Sequence, residues 1–168
     1  MTAIRLLALA GLALGLSAQP QDVHGWDKVR WGMSMEQVRA AYAIDARPET
    51  KDDWTLLELK PVKISGVELG VQVGARPGSG KVSSVRLWSY FGLSNSRPGA
   101  GAQDFDTLRT ALIRQYGAPA NEETRHGENF RIIKTVSWTF PSTSILMTLE
   151  ASTSIPNLGN IDLLYTPR

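Results

Sequence analysis

The chain has 168 residues, of which 42% are hydrophobic, with a net charge of +2 and no cysteine. The lack of cysteine argues against disulfide bonds, thiol catalysis and a lipid anchor on cysteine. Basic and acidic residues are interspersed, without the clustered positive charge typical of nucleic-acid binding, so nucleic acid is not an expected partner.

The first 18 residues have the pattern of a secretory signal peptide. Arg5 precedes an uncharged apolar run of 11 residues (6–16), which is followed by the small residues Ser17 and Ala18. The run is too short for a membrane anchor, because about 20 apolar residues are needed to span a bilayer. We therefore expect cleavage near Ala18, a periplasmic or secreted location, and no membrane span in a single mature domain of residues 19–168. Of the 18 basic residues Arg5 is lost, which leaves 17 against 16 acidic residues, a net charge of +1.

A helix is predicted to begin after Ser34. Ser34 and Gln37 form a capping box, and Met33 is placed to pack on Val38. Met35, Val38, Ala41 and Tyr42 recur at helical spacing, and the helix should end before Pro48. The apolar period then changes to two, which predicts strands over 54–59, 67–73 and 81–91, with a turn at 76–80.

The same order of elements follows in the second part of the chain. After a loop predicted at 95–103, Asp104 should cap a second helix with Phe105, Leu108, Leu112 and Tyr116 on one face. Gly117 and Pro119 favour its end, and residues 121–129 are expected to form a charged loop. Strands are predicted over 131–140, 143–151 and 161–166.

The two parts align with each other. With an offset of 70, Val38 lies over Leu108 and Tyr42 over Leu112; with an offset of 84, Trp54-Thr55 lies over Trp138-Thr139. We therefore predict an internal duplication with halves at about 26–93 and 103–167. The expected fold is α+β: two αβββ repeats, with two helices packed on one face of an antiparallel sheet of about six strands.

The first helix start also carries a family resemblance. The segment Gly-Met-Ser-Met-Glu-Gln-Val at 32–38 resembles that of small bacterial envelope proteins of the BamE (SmpA/OmlA) type and of the tandem-repeat β-lactamase inhibitory proteins. The Tyr-Gly-Ala-Pro turn at 116–119 is similar to the Leu-Gly-x-Pro turn with which such helices often end. The resemblance implies the tandem αβββ fold; this chain lacks the lipid-anchor cysteine and the disulfides of those proteins, and fold does not carry function.

No catalytic, metal or cofactor site emerges from the motifs. Residues 74–81 approach a phosphate-binding loop, but Ala75 and Val82 break the pattern and a strand-like segment follows, which favours a hairpin turn. His24 and His126 both fall in predicted loops, and the acidic surroundings of His126 favour a solvated loop over a metal site. Neither adjacent carboxylate pair, at 52–53 and 122–123, is expected to converge on one substrate, because neighbouring side chains of a strand face opposite ways.

The candidate binding residues are Arg86, Trp88 and Tyr90, which share one face of a predicted strand while Val85 and Leu87 share the other. If Val85 and Leu87 face the helices, the three residues form an exposed ribbon of the types enriched at binding hot spots. The alternative is that the other half covers this face, which would make Trp88 a core residue. Trp54 and Trp138 are expected to be structural.

The function predicted is that of an exported, non-catalytic envelope protein that binds another protein or an envelope component through an exposed sheet face. Two alternatives remain open, a small exported hydrolase that uses carboxylates and a carrier of a small ligand; the oligomeric state is not predicted. An open, aromatic-lined sheet would favour the binding protein, a deep pocket with converging carboxylates the hydrolase, and an enclosed apolar cavity the carrier.

Overall fold

The computed structural model describes residues 22–76, 78–91, 100–128, 130–155 and 158–168, with the backbone alone for residues 90, 91 and 100. The predicted signal peptide, residues 1–18, lies outside the described residues. So do residues 95–99 of the predicted loop between the two halves.

Within the described residues the chain forms ten strands and two helices. In chain order they are β1 (Gly25–Trp26), β2 (Val29–Arg30), α1 (Met35–Tyr42), β3 (Glu49–Lys51), β4 (Trp54–Ile64), β5 (Val67–Ala75), β6 (Val82–Phe91), α2 (Ala100–Tyr116), β7 (Asn121–Gly127), β8 (Arg131–Thr139), β9 (Thr143–Ser152) and β10 (Gly159–Pro167). Strands β1 and β2 form a small hairpin. The other eight form one antiparallel sheet in the order β3-β4-β5-β6-β10-β9-β8-β7.

The molecule is mostly β, so the predicted α+β fold of two αβββ repeats, with two helices on about six strands, is wrong. Among the described residues, each helix is followed by four strands of the large sheet, and the strands missed by the prediction are β3 and β7 at its two edges. All three side chains of β3 are exposed, and β7, predicted as a charged loop, has no buried side chain. Neither edge strand therefore carries the apolar alternation from which strands are predicted.

The first carboxylate pair, Asp52 and Asp53, forms the turn between β3 and β4. Asp52 and Asp53 have φ angles of +48° and +67° and join Lys51 directly to its partner Trp54. Two consecutive residues with positive φ form the tight turn that matches the twist of a hairpin, and aspartate tolerates that conformation better than most residues. This pair of carboxylates therefore belongs to a turn.

The first helix begins and ends as predicted. The Gln37 amide donates to Ser34 Oγ over 3.2 Å, and the Ser34 amide donates to Gln37 Oε1 over 2.8 Å, which completes the capping box. Met35 and Val38 are buried, and the helix ends at Tyr42, before Pro48, with Ala43 in the left-handed conformation.

The second helix begins earlier than predicted. Its described part starts at Ala100, so Asp104 lies within the helix and the prediction that it caps the helix is wrong. Phe105, Leu108 and Leu112 are buried on one face, as predicted. At the end, Gly117 has a φ of +83° and its amide donates to the Ile113 carbonyl over 2.9 Å, which confirms the predicted glycine terminus.

The buried side chains of the large sheet lie on one face, where they form a single core with those of both helices. The largest fully buried members are Trp138, Tyr165, Phe105, Leu57, Leu69, Leu87, Leu108, Leu112, Ile145, Met147, Leu149 and Ile161. Burial of one such side chain contributes about 1.5–3 kcal/mol to folding. Because successive residues of a strand face opposite ways, the alternate residues form a second face, here called the open face.

The segment before the first hairpin is fixed to the body of the protein. Asp22 accepts hydrogen bonds from the Ser142 amide over 3.0 Å and from Ser142 Oγ over 2.6 Å. The buried Thr143 donates its hydroxyl to the Val23 carbonyl and accepts the Trp31 indole N–H over 2.8 Å. Residue 22, four positions after the predicted cleavage site, thus already belongs to the fold.

Candidate binding face of the sheet

The three predicted binding residues occupy alternate positions of β6. Their neighbours Val85 and Leu87 are fully buried in the core, which places Arg86 and Trp88 on the open face. Tyr90 occupies the next position of the same face, opposite Asn160 of β10. Arg86 is exposed and Trp88 is half-buried, and Trp88 is not part of the buried core. The alternative that made Trp88 a core residue therefore does not hold.

Trp88 is half-buried because its indole lies on the backbone of β5. Its cross-strand partner is Gly70, and a Cβ atom placed on Gly70 would come within 2.7 Å of the indole ring. That distance is well inside van der Waals contact, so the ring occupies the space that any larger residue would need. Because Gly70 has no side chain, the tryptophan ring can pack directly against the sheet.

A second tryptophan of the open face, Trp54, also packs beside a glycine of β5. A Cβ atom on Gly74 of β5 would lie 2.4 Å from Ser84 Oγ and 3.2 Å from the ring of Trp54 on β4, so this glycine leaves room for both side chains. Trp54 was expected to be structural and equivalent to Trp138. Trp138 is indeed buried, with its indole N–H donating to the Gly117 carbonyl over 2.9 Å, whereas Trp54 is half-buried on the open face. The signal for this difference was present, because Trp54 is out of phase with the core residues Leu57 and Leu59.

Arg86 is held in position by a neighbouring strand. Its Nε donates to Asp162 Oδ1 over 2.6 Å, and Asn160 Nδ2 donates to the other carboxylate oxygen over 2.8 Å. This hydrogen bond to Asp162 raises the pKa of Arg86 above its usual value, so the group stays cationic. The side chain is 52% exposed, and no described residue accepts a hydrogen bond from its Nη atoms.

A cleft of about 400 Å³ opens between Trp54 and Arg86. It is lined by four apolar residues (Trp54, Leu56, Leu164, Pro167), two arginines (Arg76, Arg86) and four polar residues (Gln72, Ser83, Ser84, Thr166). Arg76 was predicted only as part of a turn. It is exposed, and among the described residues no carboxylate lies within 4.0 Å of its guanidinium. The cleft therefore combines apolar walls with positive charge.

The second carboxylate pair does not form an acid–base site. On β7, Glu122 pairs with Val136 of the core face and Glu123 with Thr135 of the open face, so the two side chains diverge, as predicted for a strand. Arg109 donates to both carboxylate oxygens of Glu122, over 2.9 and 2.6 Å, and lowers the pKa of Glu122. Arg125 does the same to Glu123. A general acid needs a raised pKa, so these carboxylates give no support to the hydrolase alternative.

The histidines are placed partly as predicted. His24 lies outside the strands, 3.5 Å from Asp22, whereas His126 lies on the edge strand β7 and not in a loop. In the part of the chain that the structure describes, no three His, Cys, Asp or Glu side chains are grouped so as to hold a metal ion. Neither of its two helices has the length and apolar character that a membrane crossing requires.

Known proteins offer no further guide. No family model, curated protein or solved structure matches this chain. The resemblance to BamE-like envelope proteins therefore stays a prediction.

Proposed function

We propose that this chain is an exported, non-catalytic envelope protein that binds another protein or an envelope component through the open face. The observation that carries the proposal is the pair of tryptophans, Trp54 and Trp88, seated on glycines on either side of Arg86. Tryptophan and arginine are the residue types that most often dominate binding energy. Because both rings and the guanidinium are already held in place, binding orders few side chains, which reduces its entropic cost.

The surroundings of Arg86 extend this surface across the sheet. Along the row of paired residues, Gln72, Arg86, Leu164 and Leu146 follow one another on the open face of β5, β6, β10 and β9. Leu146 is 42% exposed. Two polar side chains, on β5 and β6, are thus followed by two apolar ones, on β10 and β9. This mixed composition suits a protein interface better than a surface in contact with water alone.

Export is the second part of the proposal. It is supported by the order of charge, apolar run and small residues in the first 18 residues. Cleavage near Ala18 would spare Asp22, which is hydrogen-bonded to Ser142. Mass spectrometry of the protein recovered from the envelope of its host tests this: we expect a mature chain that begins close to Gln19, and a cytosolic chain that begins at Met1 would contradict export.

Binding is tested by a double variant, Trp88→Ala with Tyr90→Ala, used as bait in the envelope fraction of the host. Both positions lie on the open face, so the variant should keep its secondary structure and lose the partners captured by the wild type. The matched control is Arg114→Ala with Gln115→Ala, at two exposed positions on α2. Unchanged capture by the Trp88 variant would contradict the proposal.

A further inference from the structure

The cleft beside Trp54 is shaped by an irregularity in the β5–β6 pairing. Gly74 pairs with Ser84 but Ala75 pairs with Val82, so Ser83 is an extra residue that forms a bulge. Both Ser83 and Ser84 line the cleft, and Ser83 Oγ has no hydrogen-bond partner among the described residues although it is buried. Bulges often re-aim side chains next to functional sites. Here the bulge places both serines in the cleft, and Gly74 leaves room for the Ser84 hydroxyl and the Trp54 ring.

The charge of the cleft is unbalanced. Two of its lining residues are arginines and none is acidic. Asp162 balances Arg86 from outside the cleft, whereas Arg76 has no carboxylate within 4.0 Å in the described parts of the chain. The neighbouring cleft over β3 and β4 differs, because Arg47 and Lys51 are accompanied there by Glu49 and Glu58. Of these two neighbouring clefts, only the one beside Trp54 has a lining with unbalanced positive charge.

We propose that this cleft binds a segment of a partner protein in which a carboxylate side chain stands next to an apolar one; the inference rests on the proposed function of the open face. The carboxylate would pair with Arg76 and with the Nη atoms of Arg86, since the planar guanidinium matches a carboxylate in two parallel hydrogen bonds. The apolar side chain would lie against Trp54, Leu56 and Leu164. The aliphatic walls of Leu56, Leu164 and Pro167 favour a protein segment over an acidic polysaccharide, because an apolar side chain covers them and a chain of sugar hydroxyl groups does not.

The test uses an array of random 12-residue peptides probed with the purified full-length protein. We expect the bound peptides to be enriched in Asp or Glu beside an apolar residue. The best-binding peptide should lose affinity by at least about tenfold for Arg76→Gln, the loss expected when a charge-assisted hydrogen bond is removed. Arg114→Gln, at an exposed arginine on α2, is the matched control and should bind like the wild type.

Three outcomes would overturn the inference: bound peptides without acidic enrichment, unchanged affinity of Arg76→Gln, or binding of oligogalacturonate by a protein that binds none of the peptides. Thermal unfolding of each variant confirms that the fold is retained. The open face is tested separately, by the capture experiment with Trp88→Ala and Tyr90→Ala. If that variant loses its partners while Arg76→Gln retains them, the proposed function stands and the assignment of the cleft fails.

Discussion

The indole of Trp88 lies against Gly70 on the neighbouring strand so closely that a Cβ atom on Gly70 would come within 2.7 Å of the ring. The Trp54 ring lies near Gly74, two positions further along that face of β5, where a Cβ atom would come within 3.2 Å of the ring and 2.4 Å of Ser84 Oγ. The two glycines therefore help to fix the positions of the two tryptophan rings on the open face.

The first prediction concerns this seat. Gly70→Ala should push Trp88 off the sheet and destabilise the protein by about 1–3 kcal/mol, the usual cost of forcing a methyl group into a packed space. The measurement is urea unfolding followed by far-UV circular dichroism. Gly127→Ala on β7 is the control, because the nearest atom to its added Cβ would be 3.5 Å away. Equal stability of the two variants would show that Trp88 does not rest on Gly70.

A second prediction concerns the attachment of the N-terminal segment. Thr143→Val removes the hydroxyl that donates to the Val23 carbonyl and accepts the Trp31 indole N–H. Two polar groups then lose their partner, which should reduce the free energy of unfolding by about 1–3 kcal/mol. Thr143→Ser retains the hydroxyl and should recover most of this loss in the same urea titration. A Val variant as stable as the wild type would mean that the segment is not held by Thr143.

The third prediction concerns acid stability. The hydrogen bonds from Ser142 lower the pKa of Asp22 below its ordinary value of 3.8. A lowered pKa stabilises the fold above the ordinary value, and this contribution is lost as the pH falls towards the lower pKa of the folded state. Asp22→Asn should therefore reduce stability at pH 7 and flatten the decline in stability below pH 4. Asp45→Asn, at an exposed position, is the control; an identical acid profile for both variants would contradict this role of Asp22.

The fourth prediction concerns the ionisation of Tyr42 and stability at alkaline pH. The Tyr42 hydroxyl donates to Asp27 Oδ2 over 2.9 Å, and burial together with this hydrogen bond raises the pKa of Tyr42 to about 12. A raised pKa means that the neutral hydroxyl stabilises the fold below pH 10, and that this contribution is lost between pH 10 and 12. In tyrosinate absorbance titrations, Tyr42→Phe should lack one late-ionising group. Loss of a group that ionises near pH 10 instead would refute the raised pKa.

The sequence predicted those elements whose signal is local. The capping box of Ser34 and Gln37 and the six strands with an apolar alternation can be read from neighbouring residues alone, and each is present. The edge strands β3 and β7 could not be predicted, because they bury little and are held by backbone pairing and by ion pairs such as that of Arg109 with Glu122. The two extra strands turn the expected six-stranded sheet into one of eight.

The site was predicted only in part, because the sequence shows the alternation within a strand but not the packing between strands. Alternation along β6 places Arg86 and Trp88 on one face, so these residues follow from the sequence. The phase of Trp54 relative to Leu57 and Leu59 likewise indicates the open face. That Trp54, Arg76 and Arg86 line one cleft does not follow from the sequence, because it depends on how β4, β5 and β6 pair. Glycines at positions 70 and 74, alternating with the core residues of β5, were the available sign that aromatic rings cross this strand.

The central claim, that the open face is the binding surface, is tested most directly by photo-cross-linking in the host. A photoreactive amino acid is placed at Leu146, which is 42% exposed on the open face, or at Gln115, which is exposed on α2. We predict a discrete cross-linked partner from position 146 and none from position 115. A partner captured from position 115 alone would contradict the claim.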